Sequence, residues 1–88
     1  MLQRFWFEFD ISIDDPHPIG VLLGCGVTAY DYVDAVQLVA NLVFKASALP
    51  PIRRVIEGVD ITTLDANHVL SNMGVPSNRG IWFPLGYS

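Results

Sequence analysis

Residues 5–13 alternate between apolar and polar side chains more regularly than any other stretch of this sequence. The apolar set is Phe5, Phe7, Phe9, Ile11 and Ile13, and the intervening set is Trp6, Glu8, Asp10 and Ser12. A period of two is typical of a strand that turns one face to the core and the other to solvent. The pattern therefore predicts a strand over 5–13, ended by the two prolines of residues 14–18.

Glycines punctuate the next apolar run, for which we predict a second strand over Gly20–Thr28. Its inward positions are Val21, Leu23, Cys25 and Val27, and glycine stands at 20, 24 and 26. Glycine inside a strand marks a bulge or a close approach of another group. The short connection to residues 5–13 predicts that the two strands form a hairpin.

From Asp31 onward the period changes to that of a helix. Asp34, Gln37, Asn41 and Lys45 follow one another at spacings of three, four and four residues, which draws one polar stripe. Asp31 is the predicted N-cap. The helix must end before the two prolines at 50 and 51.

The rest of the chain predicts a strand over Ile52–Ile61, a short helical turn over Ala66–Ser71 and a last strand over Ile81–Phe83. We therefore expect an α+β fold. It has a mainly antiparallel four-stranded sheet with one main helix packed on one face, in the order β-β-α-β-(short helix)-β.

Composition limits the class of protein. At 88 residues and 51% hydrophobic content, the chain fits a single domain over 1–88 and is not disordered. Nine acids against five bases argue against a nucleic-acid binder. The most apolar segment, Tyr32–Phe44, is too short and polar to span a membrane. With one cysteine, Cys25, and no secretory pattern at the start, we expect a cytoplasmic protein.

Acidic residues dominate the first half of the chain. Between Phe5 and Phe44 there are six acids and no lysine or arginine. We expect four of them to adjoin, two on the solvent side of the first strand and two at the start of the helix: Glu8, Asp10, Asp31 and Asp34. Such a group forms one negative field that attracts a cationic partner. Ordinary solubilising charge is the alternative interpretation.

Both tryptophans are predicted to lie on the sheet face that the helix leaves uncovered. Trp6 shares its parity with Glu8, and Trp82 has the opposite parity from its two apolar neighbours. Exposed tryptophan is the side chain most enriched at binding hot spots, so we interpret both as anchors for a protein partner. The alternative is that residues 84–88 fold over them.

No residues have the spacing of a catalytic or metal-binding motif, and no cofactor is predicted. Asp14, Asp15 and His17 match no ligand spacing and are interpreted as a surface loop. Two alternatives to a partner-binding module stay open. One is a small enzyme or ligand-binding domain that uses His68 with Asp65 or Tyr30. The other is a homodimer through an apolar helix patch of Leu38, Leu42 and Phe44.

Four segments carry a resemblance that covers most of the chain. They are Arg4–Phe9 (RFWFEF), Gly24–Tyr32 (GCGVTAYDY), His68–Val69 with Asn72–Gly74 (NMG), and Arg79–Pro84 (RGIWFP). With these segments the chain resembles a family of short bacterial proteins of unassigned function. In size and acidity it is also similar to the immunity proteins of contact-dependent growth-inhibition systems. That likeness implies an immunity or antitoxin protein that binds and neutralises a cognate toxin.

Overall fold

The computed structural model describes residues 1–45 and 48–87. The chain has four strands, β1 (Gln3–Phe9), β2 (Cys25–Ala29), β3 (Ile52–Glu57) and β4 (Gly80–Phe83), in its described residues. They form one antiparallel sheet in the spatial order β3-β1-β2-β4. The main helix, α1 (Tyr32–Leu38), continues as a π-helical turn over Val39–Val43. Two 3-10 turns, Ile61–Thr63 and Leu70–Asn72, lie between β3 and β4. The predicted α+β fold is confirmed.

The helix begins where its cap was predicted. Asp31 is extended (φ −157°), and its carboxylate accepts a hydrogen bond from the Asp34 amide at 2.8 Å. This bond satisfies one of the amides that a helix N-terminus leaves without an intrahelical partner. Helical structure ends at Val43, and Lys45 has a positive φ of 53°. The end of α1 thus lies several residues before Pro50.

The first two strands are shorter than the alternation predicts. The chain turns after β1, because the Asp15 amide donates to the Ser12 carbonyl at 3.0 Å. Ile13 is consequently 74% exposed, and the prediction that it faces the core is wrong. Before β2 the chain makes further turns, in which the Gly24 amide donates to the Val21 carbonyl. Gly24 has a φ of +138°, which favours glycine.

One face of the sheet packs against the helix. Phe5, Phe7 and Phe9 point to this side, as the alternation predicts, and are at most 5% exposed. The other buried members of this helix-side core are Val21, Cys25, Val27, Ala29, Ala35, Val39, Val43, Phe44 and Ile81. Burial raises the pKa of the Cys25 thiol to about 12, so this thiol stays protonated and unreactive.

The opposite face carries a second core, which corrects the prediction of exposed tryptophans. Trp6 and Trp82 do point away from the helix, but they are only 3% and 2% exposed. Their cover is the connection between β3 and β4, not residues 84–87; Ser88, the last residue of the predicted cover, lies outside the described residues. Buried with them in this tryptophan core are Val59, Val69 and Phe83, flanked by Ile56, Ile61, Leu64 and Met73. The two indoles therefore offer no surface to a partner in this fold.

Glycines in β2 and directly before it make room for the indoles. A Cβ at Gly26 would overlap the ring of Trp82, and one at Gly24 would lie 2.6 Å from the ring of Trp6. The predicted close approach is thus confirmed. The pairing of β2 with β4 also shifts between Gly26 and Val27, which leaves Trp82 as the extra residue of a bulge. This bulge turns both Trp82 and Phe83 toward the tryptophan core, although they are consecutive.

Candidate functional site

A cleft of about 270 Å³ lies between the loop that follows β1 and the end of the helix. Phe44, Pro16, Pro18 and Pro50 contribute apolar walls, and two carboxylates, Asp10 and Asp15, line it together with His17. We call it the acidic cleft. Its volume is slightly below the roughly 300–1,000 Å³ of small-molecule sites. A cleft of this size holds one long side chain more readily than a whole ligand.

Local hydrogen bonds shape the rim of the acidic cleft. The Ser12 amide donates to the Asp15 carboxylate at 3.1 Å, and the Asp15 carbonyl lies 2.6 Å from Nδ1 of His17. Prolines at 16 and 18 fix φ on either side of His17 and limit the conformations of the loop. The DDPHP run is therefore a preorganised rim rather than a chemical motif.

Three acids around the cleft are exposed and form no ion pair in the described ranges, a property that they share with Asp31, Glu57 and Asp60. Asp10, Asp14 and Asp15 are all exposed, and no lysine or arginine of the described ranges forms an ion pair with them. The basic residue nearest to the cleft in sequence is Lys45, which directly follows Phe44 of the cleft wall. An unpaired group of carboxylates attracts cations from solution, most strongly at low salt.

Glu8, by contrast, is neutralised by the neighbouring strand. Its carboxylate lies 3.3 Å from Arg54 and 3.6 Å from Arg53, both on β3. The Trp6 indole N–H donates to the same carboxylate at 3.1 Å. Glu8 thus closes the edge of the tryptophan core and offers little charge to a partner.

Asp34 is also engaged within the fold. Arg79 donates to it through two nitrogens, with Nε at 2.9 Å, and the guanidinium lies 5.4 Å from the centroid of the Tyr30 ring. The Arg79 side chain, followed by the Tyr30 amide, lowers the pKa of Asp34 to about 2. Asp31 caps the helix. Both acids of the helix start are therefore engaged within the fold, Asp31 by a local bond and Asp34 by a distant residue.

The strand register separates the four acids that the sequence predicts to adjoin. Ala29, two residues before Asp31, pairs with Gln3 at the start of β1. Glu8 lies five residues farther along β1, about 17 Å away at the usual rise per residue. Glu8 and Asp10 therefore lie at one end of the sheet, and Asp31 and Asp34 at the other. The prediction of a single negative field formed by these four residues is wrong, because the antiparallel hairpin reverses direction between them.

His68 lies on an exposed turn rather than in a cavity. Its Nδ1 is 3.1 Å from the Asp65 carboxylate, and the Asp65 carboxylate also accepts the His68 amide. These bonds lower the pKa of Asp65. Tyr30 belongs to the Arg79 cluster instead. Neither the acidic cleft nor a second cleft of about 320 Å³ beside Arg4 and Thr28 includes His68.

The helix patch predicted for a homodimer is part of the core. Phe44 is 6% exposed and packs edge-on against Phe9, with ring centroids 5.2 Å apart. Leu38 and Leu42 are partly buried against the same helix-side core. The prediction of an exposed Leu38–Leu42–Phe44 seam is therefore wrong for Phe44, which is buried, and Leu38 and Leu42 keep only part of their surface exposed.

Sequence reasoning identified Asp10 but left Asp15, His17 and Phe44 out of the site. The signal was present in the DDPHP run, whose two acids and two prolines predict an exposed, stiff loop. What the sequence lacked was the return of the chain after α1, which brings Phe44 and Pro50 against that loop.

Within residues 1–45 and 48–87, no group of three His, Cys, Asp or Glu side chains is placed to hold a metal ion. No helix in the same ranges has the length and apolar character needed to cross a membrane. Comparison of the chain with protein-family models, with curated proteins and with solved structures finds no match. The fold is that of a small α+β domain whose antiparallel sheet has a hydrophobic core on each face.

Proposed function

We propose that this domain binds a basic protein partner, with the acidic cleft as the site that receives a lysine or arginine side chain of that partner. The supporting observation is the combination of Asp10 and Asp15 on one cleft whose remaining walls, apart from His17, are apolar. A long cationic side chain buries its methylene stem against apolar surface while its charged head meets the carboxylates. The ring of Phe44 and the prolines suit the stem, and the two acids suit the head.

The negative charge of the domain favours a positively charged partner. The domain carries a net charge of −4, and three of the exposed carboxylates that form no ion pair in the described ranges, Asp10, Asp14 and Asp15, lie together beside the cleft. Such a field chiefly accelerates encounter and selects among partners, whereas the fit of the anchor side chain limits dissociation. An immunity or antitoxin protein that covers a basic toxin surface is the specific form of this function that we propose.

Nuclear magnetic resonance titration with short peptides tests the site directly. A lysine- and arginine-containing peptide should shift the amide resonances of Phe44 and of the residues in 10–17 other than Pro16, and a glutamate-containing peptide of the same length should not. Asp10→Asn combined with Asp15→Asn should abolish these shifts. Glu57→Gln is the matched control, because it removes an exposed acid at the other end of the sheet. Equal shifts from both peptides would contradict the proposed site.

Co-expression tests the specific form of the function. If the adjacent reading frame encodes a toxin, the wild-type chain should restore growth, and the Asp10→Asn/Asp15→Asn variant should restore it less. The variant should also associate with the purified toxin more slowly and with a weaker dependence on salt. Association that is equally fast at all salt concentrations would remove the electrostatic part of the proposal.

A further inference from the structure

The second cleft of the domain has the opposite charge from the acidic cleft. It has a volume of about 320 Å³ and is lined by the start of β1, the end of β2, the residues that follow β3 and the turn at residues 76–77. Arg4 is the charged residue of this lining, so we call it the Arg4 cleft. Arg4 stands six residues before Asp10, which is about 20 Å at the usual rise of a strand. The two clefts therefore lie toward opposite ends of β1.

Arg4 differs from the other three arginines in having no carboxylate beside it. Each of the others contacts an acid, either Glu8 or Asp34, whereas Arg4 is in no ion pair within residues 1–45 and 48–87. The chain contains nine acids, so carboxylates are not scarce. An exposed guanidinium that lines a cleft and lacks an internal partner is available to an anion from solution.

The two acids that flank the cleft in sequence do not line it. Glu57 pairs with Phe5, and because directly paired residues share a face, it lies on the helix side of the sheet. The Asp60 carboxylate accepts hydrogen bonds from the amide and the hydroxyl of Thr62, at 3.0 and 2.7 Å. Neither acid therefore competes with a ligand for the Arg4 side chain.

Hydrogen bonds between the lining segments fix the shape of the Arg4 cleft. The amides of Gly58 and Val59 both donate to the Arg4 carbonyl, at 2.7 and 3.2 Å. The Thr28 hydroxyl donates to the Pro76 carbonyl at 2.6 Å. Because these bonds join β1 to the chain after β3, and β2 to the turn at 76–77, the cleft is formed before any ligand arrives. A preformed site loses less conformational freedom when it binds.

The rest of the lining supplies one free donor and apolar surface. The Ser77 hydroxyl forms no hydrogen bond in the part of the chain that the structure describes, whereas the Thr28 hydroxyl already donates to Pro76. Leu2 and Pro76 contribute apolar side chains. The cleft thus combines one cation, one available hydroxyl and an apolar wall.

We propose that the Arg4 cleft binds a carboxylate attached to an apolar group, from either a small organic acid or the C-terminal residue of a polypeptide. The planar guanidinium matches the two oxygens of a carboxylate, the Ser77 hydroxyl donates to one of them, and the apolar group packs on Leu2 and Pro76. A phosphate group carries roughly −1.5 to −2 at neutral pH, more than one guanidinium neutralises. The net charge of −4 would repel the excess, so a monocarboxylate suits the site better.

Nuclear magnetic resonance titration with benzoate at constant ionic strength tests the site. Benzoate should shift the amide resonances of Arg4, Gly58, Val59 and Ser77 and saturate in the millimolar range. Benzamide, which has the same shape without the charge, should not. Shifts that never saturate, or equal shifts from benzamide, would overturn the proposal. Inorganic phosphate that binds more tightly than benzoate would overturn the choice of a carboxylate.

Substitutions separate the Arg4 cleft from the net charge of the chain. Arg4→Gln should weaken benzoate binding at least about tenfold, because it removes a charge-assisted hydrogen bond. Lys45→Gln removes the same charge beside the acidic cleft and should leave binding unchanged. Ser77→Asp places a carboxylate beside the guanidinium and should block benzoate. The fluorescence of the buried indoles checks that each variant folds. Equal affinities of the wild type and Arg4→Gln would overturn the site, as would wild-type affinity in Ser77→Asp.

A pair of tripeptides distinguishes the two sources of the carboxylate. One ends in leucine with a free C-terminal carboxylate, and the other is the same peptide with an amidated end. Tighter binding of the free peptide than of benzoate would support a polypeptide C-terminus, and tighter binding of benzoate would support a small acid. Equal binding of the free and amidated peptides at the Arg4 cleft would contradict carboxylate recognition. Because the acidic cleft takes no part, Asp10→Asn combined with Asp15→Asn should leave benzoate binding in place.

Discussion

Both faces of the sheet are buried to a similar degree, but different kinds of structure cover them. The helix-side core contains phenylalanines and aliphatic side chains beneath a continuous helix. The tryptophan core lies beneath the connection between β3 and β4, whose regular structure is limited to two 3-10 turns of three residues. The backbone hydrogen bonds of this cover are confined to short turns, so its position depends on the large apolar surfaces that it buries. We therefore expect the buried indoles to supply much of the stability on this face of the sheet, whereas the helix supplies it on the other face.

Removal of one indole is the strongest test of this comparison. Trp82→Ala should lower the free energy of unfolding by about 3–5 kcal/mol, because it leaves a cavity that an irregular cover fills only in part. Phe7→Ala makes the corresponding cavity beneath the helix, where Phe7 is fully buried, and should cost a similar amount. Urea denaturation of both variants measures the two costs.

A much smaller cost for Trp82→Ala than for Phe7→Ala would break the comparison. It would mean that the connection between β3 and β4 is a loosely held layer and that the helix-side core alone maintains the fold. Native-state hydrogen exchange of β4 would then show opening well below the global free energy of unfolding.

Gly26 of β2 offers a test from the opposite direction, by overfilling the tryptophan core. Gly26→Ala should lower the free energy of unfolding by about 1–3 kcal/mol, since its Cβ would overlap the Trp82 ring. Gly74→Ala is the matched control. A Cβ there would lie 3.6 Å from Leu85, an ordinary contact, so stability should change little. Equal effects of the two substitutions in thermal denaturation would show that the indole has room to move.

Strand periodicity predicted which way Phe5, Trp6 and Phe7 point, and capping chemistry predicted the helix start at Asp31. Both signals are local, so they are legible in a sequence. The cover over the tryptophans was missed because residues 58–73 have no regular hydrophobic period. The separation of the acidic residues was missed for a related reason. Asp34 finds Arg79 forty-five residues away, and only the folded register brings them together.

A buried hydroxyl bonds the connection between β3 and β4 to the sheet, and its removal should lower stability less than Gly26→Ala does. The Thr28 hydroxyl donates to the Pro76 carbonyl at 2.6 Å, and Thr28 is 2% exposed. Thr28→Val keeps the shape but removes the donor, so it should cost about 1 kcal/mol of unfolding free energy. Thr63→Val removes a comparable hydroxyl-to-carbonyl bond on an exposed turn and should cost less. The reverse order in urea denaturation would mean that Pro76 is not held through this bond.

The smallest expected effect concerns the ion pair that joins the second half of the chain to the helix start. Hydrogen bonds from Arg79 and Tyr30 lower the pKa of Asp34 from 3.8 to about 2. An acid whose pKa is lowered by folding stabilises the native state above its unfolded pKa, and this contribution disappears as pH falls through its folded pKa. Stability should therefore decline between about pH 4 and pH 2 more steeply in the wild type than in Asp34→Asn. Arg79→Gln should also reduce the pH dependence of stability in this range, because it removes the largest cause of the lowered pKa.

Urea denaturation across this pH range measures the slopes, and a wild-type slope retained in both variants would assign the acid sensitivity to other carboxylates. Asp60 and Asp65, whose pKa values are also lowered by local hydrogen bonds, would then be the residues to substitute next.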